Sequence, residues 1–130
     1  MLAIFIALFG CAAAPRQLKD SDFLTKHVSA NLPVTEAYAN LRQGFRYCAP
    51  EKYGFPDCKA PEKDGAVLCN IYPDKTTAGK TNRALGRIQL SPESTGTKAV
   101  LRVRKNIANN EDILTAWEIF MSGRVREVCP

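Results

Sequence analysis

The chain has 130 residues, 45% hydrophobic and 24% charged, with a formal net charge of +5. This length argues against a multidomain protein, and the composition is that of an ordinary globular domain. The 18 Lys and Arg residues and the 13 Asp and Glu residues are spread along the sequence, so the excess charge is not a basic tail. A mild basic excess is compatible with an anionic partner, although an ordinary solvated surface that happens to be basic is the favoured interpretation.

The first apolar stretch, Leu2 to Phe9, is too short to cross a membrane. As a helix it extends only about 12 Å, whereas a transmembrane helix needs about 20 residues. Its length matches the apolar core of a secretory signal peptide. A truncated conventional signal peptide and a buried N-terminal strand are the alternatives. Conventional cleavage after Ala14 is disfavoured because Pro15 follows.

The segment Leu8-Phe9-Gly10-Cys11 resembles the lipobox of bacterial lipoproteins, in which an aliphatic residue, an apolar or small one and Gly or Ala precede an invariant Cys. The resemblance implies a signal peptide over residues 1–10. Cys11 would then become the mature N-terminus, linked to diacylglycerol and acylated by a fatty acid such as palmitate. Ala12, which is not Asp, implies the periplasmic face of the bacterial outer membrane. No nucleic acid is expected as a partner there.

The five cysteines agree with an exported chain. With Cys11 set aside, an even number remains, which predicts two disulfides with three alternative pairings. A structural zinc site is disfavoured because it needs two close pairs, whereas the gaps here are 10, 11 and 60 residues. The predicted disulfide cysteines are Cys48, Cys58, Cys69 and Cys129.

The first half of the mature chain predicts a tether, a strand, a helix and a loop. Residues 11–22 hold the lipidated cysteine and a short polar tether, and residues 23–130 form the single domain. A first strand is predicted within Phe23 to Leu32. Helical spacing and an N-cap at Thr35 predict a helix from Glu36 to Tyr47. Residues 49–65, which contain three prolines and two glycines, predict a loop that Cys58 staples.

The second half predicts three strands and a final helix. The strands are Ala66 to Tyr72, Leu85 to Leu90 and Lys98 to Lys105, and the last two form a hairpin around a turn at residues 91–96. Period-two alternation points five apolar side chains inward, namely Ile88, Leu90, Ala99, Leu101 and Val103. The helix begins after Asn109 or Asn110 and ends at Gly123, and we expect Trp117 to anchor it to the sheet.

These elements predict an α+β fold, an antiparallel three- to four-stranded sheet with two helices packed on one face and stabilised by disulfides. This order of elements resembles the helix-grip domains of some outer-membrane lipoproteins, including the component of an outer-membrane assembly machine that carries two of them. The resemblance concerns element order over about 100 residues and implies no functional residue.

The sequence offers little for catalysis. Residues 78–81, Ala-Gly-Lys-Thr, copy the end of a P-loop, but the position of its earlier glycine is Asp74, whose carboxylate would repel a phosphate. Nucleophilic catalysis is also disfavoured. The chain has a single histidine, His27, and no G-x-S-x-G motif, and its cysteines are assigned to disulfides or to the lipid. We therefore expect a protein that is not an enzyme and needs neither a cofactor nor a metal.

A basic patch carries most of the functional content. Arg87, Lys98, Arg102 and Arg104 alternate with the inward apolar residues, so they share the outward face of two neighbouring strands, with Lys105 close by. The hypothesis is that this patch meets an anionic surface, either lipid headgroups near the anchor or an acidic envelope protein. The alternative is an ordinary solvated sheet face.

Two classes of function follow from these features. The first is a lipid-anchored bacterial envelope protein of non-catalytic binding or scaffolding type. The alternative is a small exported inhibitor or ligand-binding protein. Small lipoproteins that inhibit host lysozymes belong to the second class, but lysozymes are strongly basic, and a net charge of +5 argues against pairing with them.

Overall fold

The structure, a computed structural model, describes residues 18–48, 50–59 and 63–130. Five strands and three α-helices follow one another along this part of the chain. Their bounds are β1 Phe23–Ala30, α1 Val34–Tyr47, α2 Pro50–Tyr53, β2 Phe55–Cys58, β3 Val67–Tyr72, β4 Gly86–Glu93, β5 Gly96–Arg104 and α3 Asn110–Met121.

The strands form one sheet in the order β1-β5-β4-β3-β2, and every neighbouring pair is antiparallel. Strands β2 to β5 form a meander, and β1 joins it beside β5. The two long helices, α1 and α3, pack against each other and against one face of the sheet. The predicted α+β class and the position of both helices are confirmed.

The core lies between this sheet face and the helices. Strands β4 and β5 contribute the inward residues that the alternation predicted, and all five are fully buried. From the helices come Leu41 and Phe45 of α1 and Phe120 of α3, with the rings of Phe45 and Phe120 edge to face at 5.5 Å. Such pairs add about 0.5–1.5 kcal/mol beyond the burial of area.

Trp117 of α3 occupies the centre of this core. It is fully buried, and its indole nitrogen donates a hydrogen bond of 3.1 Å to the carbonyl oxygen of Tyr53. Gly86 at the start of β4 lies under the ring, since a Cβ there would come within 2.8 Å of the indole. The predicted anchoring role of Trp117 is therefore confirmed, and the hydrogen bond also fixes the end of α2.

The five strands exceed the predicted three to four because the proline-rich loop contains α2 and the edge strand β2. Pro56 is compatible with β2 because its nitrogen faces away from β3. The backbone hydrogen bond from Lys59 to Leu68, 3.1 Å, sets the alternation, so the residues bonded to β3 are Phe55 and Asp57. An edge position with the missing N–H turned outward tolerates proline.

The β4–β5 hairpin is longer than predicted. Its pairing continues to Glu93 opposite Gly96, which leaves a two-residue turn at Ser94 and Thr95. Pro92 was assigned to the turn, yet it pairs with Thr97 inside the ladder. The turn-rich composition of residues 91–96 correctly predicted a turn there. The exact bounds of the turn depend on the register of the whole hairpin.

The structure contains two disulfides, which correspond to one of the three pairings that the sequence left open. Cys48, just after α1, joins Cys129 near the C-terminus, and Cys58 of β2 joins Cys69 of β3. The second bridge lies within a directly opposed pair of the ladder. The first bridge closes the longer loop, with a sequence separation of 81 against 11 residues.

We predict that the two disulfides contribute unequally to stability. In the chain-entropy model, the Cys48–Cys129 bridge contributes about 4.5 kcal/mol and the Cys58–Cys69 bridge about 3 kcal/mol, because the first constrains the unfolded chain more. Urea unfolding of the C48S/C129S and C58S/C69S variants measures both values. A larger loss in C58S/C69S would contradict the prediction.

A second prediction concerns the close approach of α1 and α3. A Cβ at Gly44 would lie 2.4 Å from Cγ of Phe120, a ring that is fully buried. We expect Gly44→Ala to lower the free energy of unfolding by about 1–3 kcal/mol through overpacking, although helix propensity alone predicts a gain of about 1 kcal/mol. The exposed neighbour variant Gln43→Ala is the control and should change little. A stabilised Gly44→Ala protein would show that the helices are not in contact there.

Candidate functional site

The face of the sheet opposite the helices carries three arginines close together, Arg87, Arg102 and Arg104, which we call the arginine cluster. Arg87 of β4 lies directly opposite Arg102 of β5, and Arg104 follows two residues later on the same face. Each of them alternates with a buried apolar residue. Successive side chains of a strand point to opposite faces, so the arginines point outward while their apolar neighbours pack under the helices.

The other basic residues of the predicted patch lie at its two ends. Lys98 is exposed and pairs with Ser91 and Ser29. It precedes Arg102 by four residues, about 13 Å along an extended strand, so the structure leaves it apart from the arginine cluster. Lys105 follows Arg104 directly and is exposed.

Hydrogen bonds hold parts of the arginine cluster in place. The Nε atom of Arg87 donates to the side-chain oxygen of Asn70 on β3 at 3.2 Å, and Arg104 donates through Nη2 to the carbonyl oxygen of Asn82. The Nε atoms of Arg102 and Arg104 are buried and make no hydrogen bond within the described chain. A buried donor without an acceptor costs about 1–3 kcal/mol.

The charge of the central pair is not neutralised by the described residues. Within the described part of the chain, one salt bridge joins Lys26 to Glu118 and another joins Arg124 to Glu127. Neither Arg87 nor Arg102 takes part in a salt bridge with these residues. Like charges that lie directly opposite on neighbouring strands destabilise a sheet. This face therefore keeps an unfavourable arrangement that a bound anion would relieve.

The N-terminal end of the described chain lies beside the arginine cluster. A cleft of about 250 Å³ is lined by Leu18, Ser21 and Asp22 on one side and by Arg104, Lys105 and Asn106 on the other. The backbone N–H of Lys105 donates to the carbonyl oxygen of Asp22 at 3.0 Å. The segment that leads back towards Cys11 thus enters the domain at its basic sheet end.

A second basic surface, which the sequence did not reveal, lies on α1 in the opposite layer. Arg42 and Arg46 are exposed there, and the Arg42 guanidinium lies 5.5 Å from the centre of the Tyr38 ring. Nearby, Arg126 lies 5.8 Å from the centre of the Tyr47 ring, beside the Cys48–Cys129 bridge. Arg42 and Arg126 therefore each lie over an aromatic ring, an arrangement that stabilises cations.

Two neighbours of the arginine cluster, Asn70 and Asn82, were also missed. Asn70 lies within a predicted strand, but only the β3–β4 register shows that it lies opposite Arg87. Asn82 acts through its backbone oxygen, in the connection between β3 and β4. Because any residue carries a backbone oxygen, this contact could not be predicted from the amino acid at position 82.

The segment that copies the end of a P-loop connects two short 3-10 turns, Lys75–Thr77 and Thr81–Arg83. Asp74 accepts hydrogen bonds from the Thr76 hydroxyl at 2.6 Å and from the Thr77 backbone N–H at 3.0 Å. The Thr76 hydrogen bond is the main cause of a lowered pKa of Asp74. The residue therefore caps a 3-10 turn over Lys75–Thr77, a local structural role.

The structure gives each remaining candidate residue a position. His27 is exposed on the outer face of β1, opposite Val100. The described residues contain no group of three or more His, Cys, Asp or Glu side chains placed to hold a metal ion. None of the helices in residues 18–48, 50–59 and 63–130 is long and apolar enough to cross a membrane. The predicted signal peptide, Cys11 and most of the tether lie outside the described residues.

Comparison with family models, with curated proteins and with solved structures found no match to this chain. Any function of this chain is therefore to be found in the chemistry of the site itself. That site combines an arginine cluster on a sheet face, unused hydrogen-bond donors, and the point where the N-terminal segment enters the domain.

Proposed function

We propose that this chain is a lipid-anchored bacterial envelope protein of binding type, whose arginine cluster binds the phosphate groups of an anionic membrane surface. Cys11 carries the lipid, and residues 23–130 form the domain. The function is binding, with no catalytic step. The observation that carries the proposal is the opposed pair Arg87 and Arg102, which lacks a described acidic partner.

Arginine suits this role because its planar guanidinium binds phosphate oxygens through two parallel hydrogen bonds. The arginine cluster offers several such groups on one face, and a basic residue near an anionic bilayer contributes about 1 kcal/mol to binding. Because the three arginines lie on one face of two neighbouring strands, they can meet a planar surface together. A narrow pocket for a single small anion would require converging side chains instead.

The position of the anchor supports the choice of lipid headgroups over an acidic protein. Six residues lie between Cys11 and Leu18, which lines the cleft beside Arg104 and Lys105. Fully extended, this stretch spans at most about 25 Å from Cys11 to Leu18. A lipid on Cys11 would therefore hold the basic end of the sheet within about 25 Å of the membrane surface. The local concentration of lipid headgroups around the arginine cluster would then be high.

We predict that charge reversal in the arginine cluster weakens membrane binding. The full chain with Cys11→Ser, which removes the acylation site, should sediment with vesicles that contain phosphatidylglycerol and much less with pure phosphatidylcholine vesicles. Adding R87E/R102E should lower the affinity by more than about tenfold, since each lost charge removes about 1 kcal/mol.

The matched control is R42E/R46E on α1, which reverses the same number of arginines in the opposite layer. It should retain most of the binding, and raised salt should weaken binding of the parent protein. Equal losses in the two variants, or undiminished binding of R87E/R102E, would contradict the assignment of this face.

A further prediction concerns the anchor. When the full chain is expressed in a bacterial host that is fed labelled palmitate, we expect label in the protein and in the membrane fraction, because acyl chains give effectively permanent attachment. Cys11→Ser should lose the label, whereas C58S/C69S should retain it. Unchanged labelling of the Cys11→Ser protein would refute lipidation at this residue.

A further inference from the structure

The outer edge of β1 offers unpaired backbone groups. Among the residues that the structure describes, this strand lies at the end of the sheet and pairs only with β5. The hydrogen bond from Lys105 N–H to the Asp22 carbonyl sets the alternation of the ladder, so the N–H and C=O groups of Thr25, His27 and Ser29 point away from β5. Within the described chain no hydrogen bond reaches these groups.

The features that usually protect an edge strand are weak in β1. It is eight residues long, contains neither Pro nor Gly, and pairs in one unbroken register. Its single inward-facing charge, Lys26, is bound to Glu118 of α3 at 2.5 Å, so the charge is turned towards the helix and neutralised. The opposite edge is different, because β2 has only four residues and includes Pro56.

The side chains along this edge define what could pair with it. On the inner face Leu24 and Val28 are half-buried and pack against the core, which leaves apolar surface at the edge. On the outer face Thr25, His27 and Ser29 are short or polar, and Phe23 at the start of the strand is buried. Their partners on β5 include Arg104, Arg102 and Lys98, which lie opposite Phe23, Thr25 and Ser29. An added strand would meet apolar surface on one face and positive charge on the other.

We infer that the edge of β1 binds an extended segment of a partner protein in which apolar and acidic residues alternate. The segment adds a sixth strand to the five-stranded sheet, with its apolar side chains over Leu24 and Val28 and its acidic side chains towards Arg102 and Lys98. A second copy of this chain is a poor occupant. Its own β1, Phe-Leu-Thr-Lys-His-Val-Ser-Ala, has no acidic residue, and pairing would bring two basic faces together. This inference does not depend on lipid binding.

Hydrogen exchange on the full chain with Cys11→Ser tests the inference. The probes are a blocked peptide of alternating Val and Glu and its counterpart with Lys in place of Glu. The Glu peptide should slow exchange of the Thr25, His27 and Ser29 amides about tenfold or more, because strand addition gives them acceptors. The Lys peptide should bind at least about tenfold more weakly, and Arg102→Gln should reduce this preference severalfold.

Methylated peptides provide a control that leaves the protein unaltered. In an antiparallel or parallel strand, only alternate N–H groups point towards the neighbour. N-methylation of one alternate set should therefore abolish protection, and N-methylation of the other set should leave it intact. Equal binding of the Glu and Lys peptides, protection at β2 in place of β1, or equal effects of both methylation patterns would overturn the inference. Concentration-dependent self-association that protects the same amides without peptide would overturn it in favour of a second copy.

Discussion

The register between β4 and β5 is the constraint on which both the core and the candidate site depend. In this register Ile88 faces Leu101 beneath the helices, and Arg87 faces Arg102 on the opposite side. A shift by one residue would exchange the two faces, burying arginines and exposing the apolar residues. Such a shift would cost many kcal/mol of lost apolar burial. This cost exceeds the repulsion between the two arginines, so they remain side by side.

The two layers are joined at Trp117. The start of β4 is Gly86, which leaves room for the indole, and the indole nitrogen binds the carbonyl of Tyr53 ahead of β2. One side chain thus links α3, the sheet and the proline-rich segment. The Cys48–Cys129 bridge ties the end of α1 to the C-terminus beyond α3. The helices are therefore held together at their crossing by Gly44 and Phe120 and at the chain end by a covalent bond.

Much of this arrangement could be predicted from local patterns. The period of 3.6 in α1 and the period of two in β4 and β5 are properties of short segments, so they identified the helix, the hairpin and the outward arginines. Strand β2 could not be found in this way, because Pro56 and the nearby glycine are typical of loops and only the pairing with β3 makes the segment a strand. The disulfide pairing also depends on tertiary geometry. The hydrogen bonds of Arg87 and Arg104 require a register and a backbone contact that sequence spacing does not specify.

Whether the arginine cluster is the surface that meets an anionic membrane can be measured by mapping the contact residue by residue. Amide chemical shifts of the full chain with Cys11→Ser would be followed during titration with bicelles that contain phosphatidylglycerol. We expect changes concentrated at Arg87, Arg102, Arg104 and Lys105, with little change along α1. Changes concentrated on α1, around Arg42 and Arg46, or an absence of any localised change would contradict this expectation.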